Sequence, residues 1–242
     1  MHICPTKKTR MKRILLVLFL GVSMVSCKKE PQGNMLVTGE IEGLKKGTLY
    51  LQQFRDSTLV DLDSIQMRGE GTFSFHHQVD GPEIFYLYLS KADQNELNDR
   101  ITFFGEEGTI TIKTAWNTFD ANVEVSGSKT HEKLVEFQEM VSKFNIRELS
   151  LARNASLPQI QGNPDALDSL QNLIDQNTIN KYRYALNFGF NNGDSYATPY
   201  IMLTAASDAN PKYLDSVYGS LTPEVAASKY GKALKEFLDQ KD

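Results

Sequence analysis

The hydrophobic period of this chain changes once, at Gly127. Upstream, Thr48-Leu49-Tyr50-Leu51, Thr72-Phe73-Ser74-Phe75 and Thr109-Ile110-Thr111-Ile112 alternate polar with apolar residues, the period of strands with one buried face. Turn signals separate these runs at Lys46-Gly47, Gly69-Glu70-Gly71, Asp80-Gly81-Pro82 and Glu107-Gly108. Short strands with close turns predict an antiparallel β-sandwich or small barrel over residues 35–127. The run Ile84-Phe85-Tyr86-Leu87-Tyr88-Leu89 is apolar on both faces, which places it at a sheet centre or beneath a covering layer.

Downstream of Gly127 the period is 3.6. Ser128 can cap a helix whose residues Leu134, Phe137, Val141 and Phe144 form one apolar stripe. Asn163-Pro164-Asp165 opens a second helix with Leu167, Leu170 and Ile174 on one face, extending to Phe190 and stopped by Gly189 and Asn191-Asn192-Gly193. Pro199 and Pro211 cut the remaining chain into short helices, and a last helix carries Tyr230, Leu234, Phe237 and Leu238. The expected fold class is therefore α+β, a β-domain at 35–127 followed by a helical domain at 128–242.

The first 26 residues are of another kind. Met11-Lys12-Arg13 is a short positive start, Ile14 to Leu20 is unbroken and apolar, and Gly21 to Ser26 shifts toward smaller residues before Cys27. That is the layout of an export signal. As a helix, the span from Ile14 to Val25 is about 18 Å long, short of the roughly 30 Å hydrocarbon core of a bilayer. Met11 makes a better start than Met1. An ordinary cleaved signal or a weak anchor helix is the alternative reading. The stretch Met24-Val25-Ser26-Cys27 resembles a lipobox, with Met24 in place of the usual leucine. The resemblance implies cleavage after Ser26 and a diacylglycerol on the Cys27 thiol, with two or three acyl chains holding the protein to a bilayer. Residues 27–34 then read as a lipidated tether. With Cys4 lost and Cys27 acylated, the mature chain has no thiol for a disulfide, a redox pair or a cysteine metal site.

The formal net charge is −4, but the leader holds five basic residues and no acid. Without it 21 basic side chains face 30 acidic ones. Such a balance argues against a nucleic-acid partner, which needs a basic surface, and against polybasic docking on anionic lipid.

The β half resembles a domain of unknown function found in envelope lipoproteins of the Bacteroidota, normally N-terminal to a thioredoxin-like domain of the TlpA/ResA kind. The residues that carry the resemblance are Val37-Thr38-Gly39-Glu40-Ile41-Glu42-Gly43, Gly47-Thr48-Leu49-Tyr50-Leu51, Asp63-Ser64-Ile65, Gly71-Thr72-Phe73-Ser74-Phe75, Arg100-Ile101-Thr102-Phe103-Phe104 and Val125-Ser126-Gly127-Ser128. Ser228-Lys229-Tyr230-Gly231-Lys232-Ala233-Leu234 resembles the segment that joins that domain to the thioredoxin fold. The sequence departs from the pattern at its end, stopping about where a Trp-Cys-X-X-Cys domain would begin. Trp116, the one tryptophan, has no cysteine beside it. Disulfide exchange needs a thiolate, so the redox activity does not carry over unless the chain is a fragment of a longer thioredoxin-domain protein. Lys28-Lys29-Glu30 lacks the acidic run that marks surface export in this lineage, so an inner- or outer-membrane anchor facing the periplasm is expected.

Candidate chemistry is sparse. His76-His77 are adjacent on a strand and point to opposite faces, so they do not meet one ion without a bulge. His131-Glu132 begins like a zinc-protease helix, but Val135 stands where the second histidine belongs. Asp61 and Asp63 share a strand face, as a cation site or acid/base pair would need, and equally as a solvated face. Tyr182, Tyr184, Phe188, Phe190, Tyr196 and Tyr200 could line a groove or pack a core. Trp116 could serve as an exposed aromatic platform. No phosphate loop, nucleophile elbow or Cys-X-X-Cys motif occurs, so no catalytic residue, metal or cofactor is expected. Asp-Ser pairs resemble the lineage's O-glycosylation signal, which implies modification at Ser57, Ser64, Ser169 or Ser216. The expected function is a non-enzymatic binding or scaffold lipoprotein, recognising a protein partner or a small ligand. The alternatives are an accessory subunit to a separate thioredoxin-like oxidoreductase and, last, a non-redox enzyme using Asp61 or Asp63.

Overall fold

The computed structural model describes residues 1–2, 33–55, 57–91 and 99–241. Cys4, the apolar run, Cys27 and its tether as far as Gln32 lie outside the described residues, as do Asp56 and residues 92–98. Gly33–Asp242 form one compact unit.

Eight strands come first: β1 (Met35–Glu42), β2 (Lys46–Arg55), β3 (Thr58–Arg68), β4 (Thr72–His77), β5 (Glu83–Lys91), β6 (Asp99–Gly105), β7 (Gly108–Ala115) and β8 (Glu124–Ser126). They form two four-stranded sheets, in the orders β4-β1-β7-β8 and β3-β2-β5-β6. The sheets pack as an open sandwich; the small barrel is ruled out because neither sheet closes on itself. One pair departs from the antiparallel expectation: β1 and β7 run parallel, with Met35 opposite Gly108 and Glu42 opposite Ala115. Gly39 lies on this seam, where a Cβ would sit 1.8 Å from the Ile112 carbonyl oxygen and 2.9 Å from the Phe73 ring. Only glycine allows so close an approach of neighbouring backbones.

The alternation read from the sequence fills the space between the sheets. Met35, Val37, Ile41, Phe73, Phe75, Ile110 and Ile112 from the first sheet meet Leu49, Leu51, Phe85, Leu87, Leu89 and Phe103 from the second. Burying each such side chain contributes about 1.5–3 kcal/mol relative to exposure.

The strands give way to α1 (Lys129–Ala155), α2 (Pro158–Gln161), α3 (Pro164–Asn191), α4 (Ala197–Ala205), α5 (Pro211–Gly219), α6 (Pro223–Ala226) and α7 (Lys229–Asp239). The capping residues expected from the sequence act as such. The Ser128 hydroxyl accepts from the His131 N–H at 3.0 Å, and the Asn163 side chain accepts from the Ala166 N–H at 3.2 Å. At about 1.5 Å per residue, α1 and α3 are each roughly 40 Å long. Asn177 donates to the Phe144 carbonyl at 3.0 Å and joins the two helices.

A second core joins the helices to the outer face of the β3-β2-β5-β6 sheet. Ile84 and Phe104 pack with Leu134, Phe137, Phe188, Ile201, Met202 and Leu234, and Tyr86 borders them. This is why β5 is apolar on both faces: Phe85, Leu87 and Leu89 serve the sandwich, while Ile84 and Tyr86 serve the helices. No helix among the described residues is long and apolar enough to cross a membrane.

Candidate functional site

The helical core takes in Ile84, Tyr86 and Phe104 on the outer face of the second sheet and no other described hydrophobic residue of that face. The rest of the face is set by strand register. Lys46, Thr48, Tyr50, Gln52 and Phe54 alternate outward along β2, because Leu49 and Leu51 between them point into the sandwich. Across β3 stand Arg68, Gln66 and Ser64, and across β5 stand Ser90, Tyr88 and Tyr86.

Aromatic rings crowd the middle of this face. Tyr50 and Tyr88 stack with centroids 5.8 Å apart and planes 26° from parallel. Phe54, 48% exposed, meets Tyr86 edge-on at 5.6 Å. The Arg100 guanidinium lies 5.8 Å from the Tyr86 ring centre and 5.3 Å from that of Tyr88, within cation–π range. Burial pushes the Tyr86 hydroxyl above its ordinary pKa, with Arg100 opposing the shift.

Gln52 sits among these rings, flanked along β2 by Tyr50 and Phe54 and paired across to Tyr86. It is only 7% exposed. Its amide Nε2 donates to Asp61 Oδ1 at 2.7 Å, but among the described residues its Oε1 has no partner, and neither has Arg100 Nε. A buried polar atom without a partner costs about 1–3 kcal/mol, and native structures hold few of them. Two on one sheet face, an acceptor on β2 and a donor on β6, leave hydrogen-bonding capacity unfilled there.

The sequence singled out other residues, and their positions differ from this face. Asp61 and Asp63 do not form a pair. A register shift beside Leu51 and Gln52 sets Asp61 opposite Gln52 and Asp63 opposite Leu51, and those two β2 residues point to opposite faces. The bulge thereby undoes the shared face that plain alternation predicts. His76 and His77 diverge as expected, His76 opposite Leu36 and His77 opposite the buried Met35. His77 packs edge-on against Phe85 at 5.7 Å and lines a cleft of about 460 Å³ with Arg55, Glu83 and Lys229. Burial first, and the Arg55 charge second, lower the pKa of His77, so the ring is neutral near pH 7. Glu83 in that cleft is taken up by Gln53 at 2.9 Å and Lys229 at 2.5 Å, which makes it a tie between β5 and α7.

His131 is buried, and its Nδ1 accepts the Phe104 N–H at 3.4 Å, joining α1 to β6. Among the aromatics of the helical half, Tyr184 stacks on Phe137 at 5.7 Å, Phe188 packs on Phe137 at 5.3 Å and Tyr200 meets Phe104 edge-on at 5.5 Å. Those rings pack the core; Phe190, 60% exposed, does not. Trp116 is exposed, rests over Gly43 and lies 5.8 Å from Lys91 Nζ. Ser57, Ser64, Ser169 and Ser216 are all exposed. Ser57 has a left-handed φ of 66°, and Ser64 stands opposite Tyr50 on the aromatic face. Among the described residues no three histidine, cysteine, aspartate or glutamate side chains gather to hold a metal ion.

Gln52, Arg100, Tyr50 and Phe54 were not legible as a site. The available signal was the placement of Tyr50 and Phe54 at positions that alternation assigns to the solvent face, where a polar residue is ordinary and an aromatic is not. The chain matches no curated protein. Residues 35–134, which contain all eight strands and the whole aromatic face, match the family described as a domain of unknown function, DUF4369.

Proposed function

We propose that the chain is a non-enzymatic binding or scaffold module of the cell envelope, held to a membrane by lipid on Cys27 and facing the periplasm. The observation that carries the binding reading is the unfilled capacity of Gln52 Oε1 and Arg100 Nε among Tyr50, Phe54, Tyr86 and Tyr88. Aromatic surface supplies contact area at low entropic cost, and a few placed polar atoms supply orientation. O-glycosylation of Ser64 would occupy this same face.

The binding reading is tested by thermal shift against the small-molecule fraction of an envelope extract. The unmodified chain should be stabilised, and Tyr50→Ala/Phe54→Ala should lose the effect; equal shifts in both, or none in either, would sink it. The tether is tested separately. Cys27→Ala should move the protein from the membrane to the soluble envelope fraction, and membrane retention would overturn lipid attachment.

A second reading, an accessory subunit that positions a separate thioredoxin-like oxidoreductase, draws support from the long helical pair. Ile146 and Leu149 on α1 and Leu173 and Ile179 on α3 are exposed apolar side chains, more than a solvated pair of helices needs. A photo-crosslinker at position 149 should then capture such an oxidoreductase in the envelope. Adducts that never contain one would count against this reading.

A further inference from the structure

One end of the aromatic face is strongly cationic. A cavity of about 620 Å³ opens there, lined by the cations Lys45, Lys46 and Arg68 with Thr48 and Ser90, and among the described residues no carboxylate lines it; Lys91, also at its edge, directs its ammonium to the Trp116 ring. Strand register places Lys46 directly opposite Arg68. Like charges facing each other across antiparallel strands are destabilising, and Lys45 adds a third beside them. Among the described residues none of Lys45, Lys46 and Arg68 has an ion-pair partner. Arg68 donates to Gln66, whose Oε1 accepts at 3.0 Å. The chain as a whole carries more acidic than basic side chains, so counter-charge was available, and none of the described carboxylates stands at this point. An anion in the opening would relieve the repulsion.

The residues beyond the cavity indicate what the anion is attached to. From Lys46 the outward row runs through Thr48 to Tyr50, flanked by Gln66 and Ser64 on β3 and by Ser90 and Tyr88 on β5. Hydroxyl and amide groups that donate and accept therefore alternate with tyrosine rings. That combination suits a saccharide, whose C–H faces lie on aromatic rings while its hydroxyls pair with side chains at the edge. Lys46 and Tyr50 are about 13 Å apart along the strand at roughly 3.3 Å per residue, which calls for more than one sugar ring.

We propose that this face binds an anionic oligosaccharide, its carboxylate or phosphate between Lys45, Lys46 and Arg68 and its rings along Tyr50, whose other neighbour Tyr88 stacks behind it. The proposal rests on the reading of the face as a binding surface and names its ligand class.

Calorimetric titration of the full chain in detergent tests it with four probes: an oligogalacturonate, a phosphorylated oligosaccharide, neutral maltotetraose and adenosine monophosphate. One of the two acidic oligosaccharides should bind, more weakly as salt rises, and which one binds tells carboxylate from phosphate. Lys46→Glu/Arg68→Glu should weaken it by about tenfold or more, as charge reversal against an anionic ligand does. Tyr50→Ala should weaken it without changing the salt dependence. Lys46 and Arg68 are exposed and Tyr50 is half-buried, and unchanged circular dichroism would confirm folding. Maltotetraose binding as tightly as the acidic probes, adenosine monophosphate binding more tightly, or indifference to charge reversal would each overturn the proposal. If neither acidic probe binds but the extract-induced thermal shift persists and survives the charge reversal, the anionic ligand falls and the binding face stands. If both signals are absent, both fall.

Discussion

The Tyr230 hydroxyl accepts a hydrogen bond from the Ile84 backbone N–H at 3.1 Å. The ladder between β2 and β5 ends at Gln52 opposite Tyr86, so Ile84 lies beyond the last β2 partner and α7 supplies the acceptor that the sheet does not. Burial raises the pKa of Tyr230 well above that of a free phenol, which keeps it neutral at any physiological pH. Tyr230→Phe leaves the Ile84 amide unpaired in a buried place and should cost about 1–2 kcal/mol, read as a lower denaturant midpoint. Lys229→Met, which breaks the partly exposed ion pair to Glu83, should cost less than about 1 kcal/mol. Equal losses from the two would contradict the hydroxyl's role.

Gln52 yields an effect of opposite sign. Gln52→Met removes the unsatisfied Oε1 and keeps the side chain's length; the lost partner, Asp61, is exposed and hydrates instead. Apolar replacement of a half-satisfied buried group is nearly neutral or stabilising, so the denaturant midpoint should hold or rise by up to about 1 kcal/mol of stability. The extract-dependent thermal shift should vanish in the same variant. A marked loss of stability would mean that Gln52 is fully paired and the face is merely structural.

Much of the fold was legible because period reports faces. The change at Gly127 separated strand from helix, the Ser128 and Asn163 caps located two helix starts, and the two-faced apolar run in β5 called for a sheet centre or a covering layer, of which the structure has both, with β5 inside its sheet and helices over Ile84 and Tyr86. Period does not report partners. The parallel pairing of β1 with β7 joins segments about 70 residues apart in sequence and leaves the same alternation as an antiparallel pair. The bulge beside Gln52 shifts one strand by a residue, which is why Asp61 and Asp63, a pair by plain alternation, do not share a face. The candidate site was hidden for a related reason. An outward position reads as solvated unless something is known to crowd it, and the crowding of Gln52 comes from Tyr86 on another strand.

Gly127, where the period changes, is also a point of backbone necessity. Its φ is +91°, and a Cβ there would lie 2.1 Å from the Thr109 carbonyl oxygen. Gly127→Ala meets both a left-handed penalty and a backbone clash, and should cost about 2–3 kcal/mol. The measurement is chemical denaturation. Gly162→Ala is the control, since its φ of −81° is ordinary and its nearest outside atom would be 3.9 Å from the new Cβ. A loss at position 127 no larger than at 162 would show that the joint tolerates a side chain.

His131 makes stability depend on pH with a definite sign. Burial lowers its pKa below the ordinary 6.5, and the nearby Glu106 charge opposes the shift without reversing it. The geometry agrees: Nδ1 accepts the Phe104 N–H, so a proton on Nδ1 would set two donors against each other. The unfolded chain takes up a proton as pH falls through about 6.5 and the folded chain does not, so stability is full above that value and declines as the solution is acidified. His77, less buried, contributes with the same sign. His131→Asn offers an amide oxygen close to the position of Nδ1 but cannot titrate. The slope of unfolding free energy between about pH 7.5 and pH 5 should therefore be shallower in the variant than in the unmodified protein, while other titrating groups contribute equally to both. Parallel slopes would mean that His131 takes up its proton as readily in the folded chain as in the unfolded one, and that the contact with Phe104 does not hold Nδ1 bare.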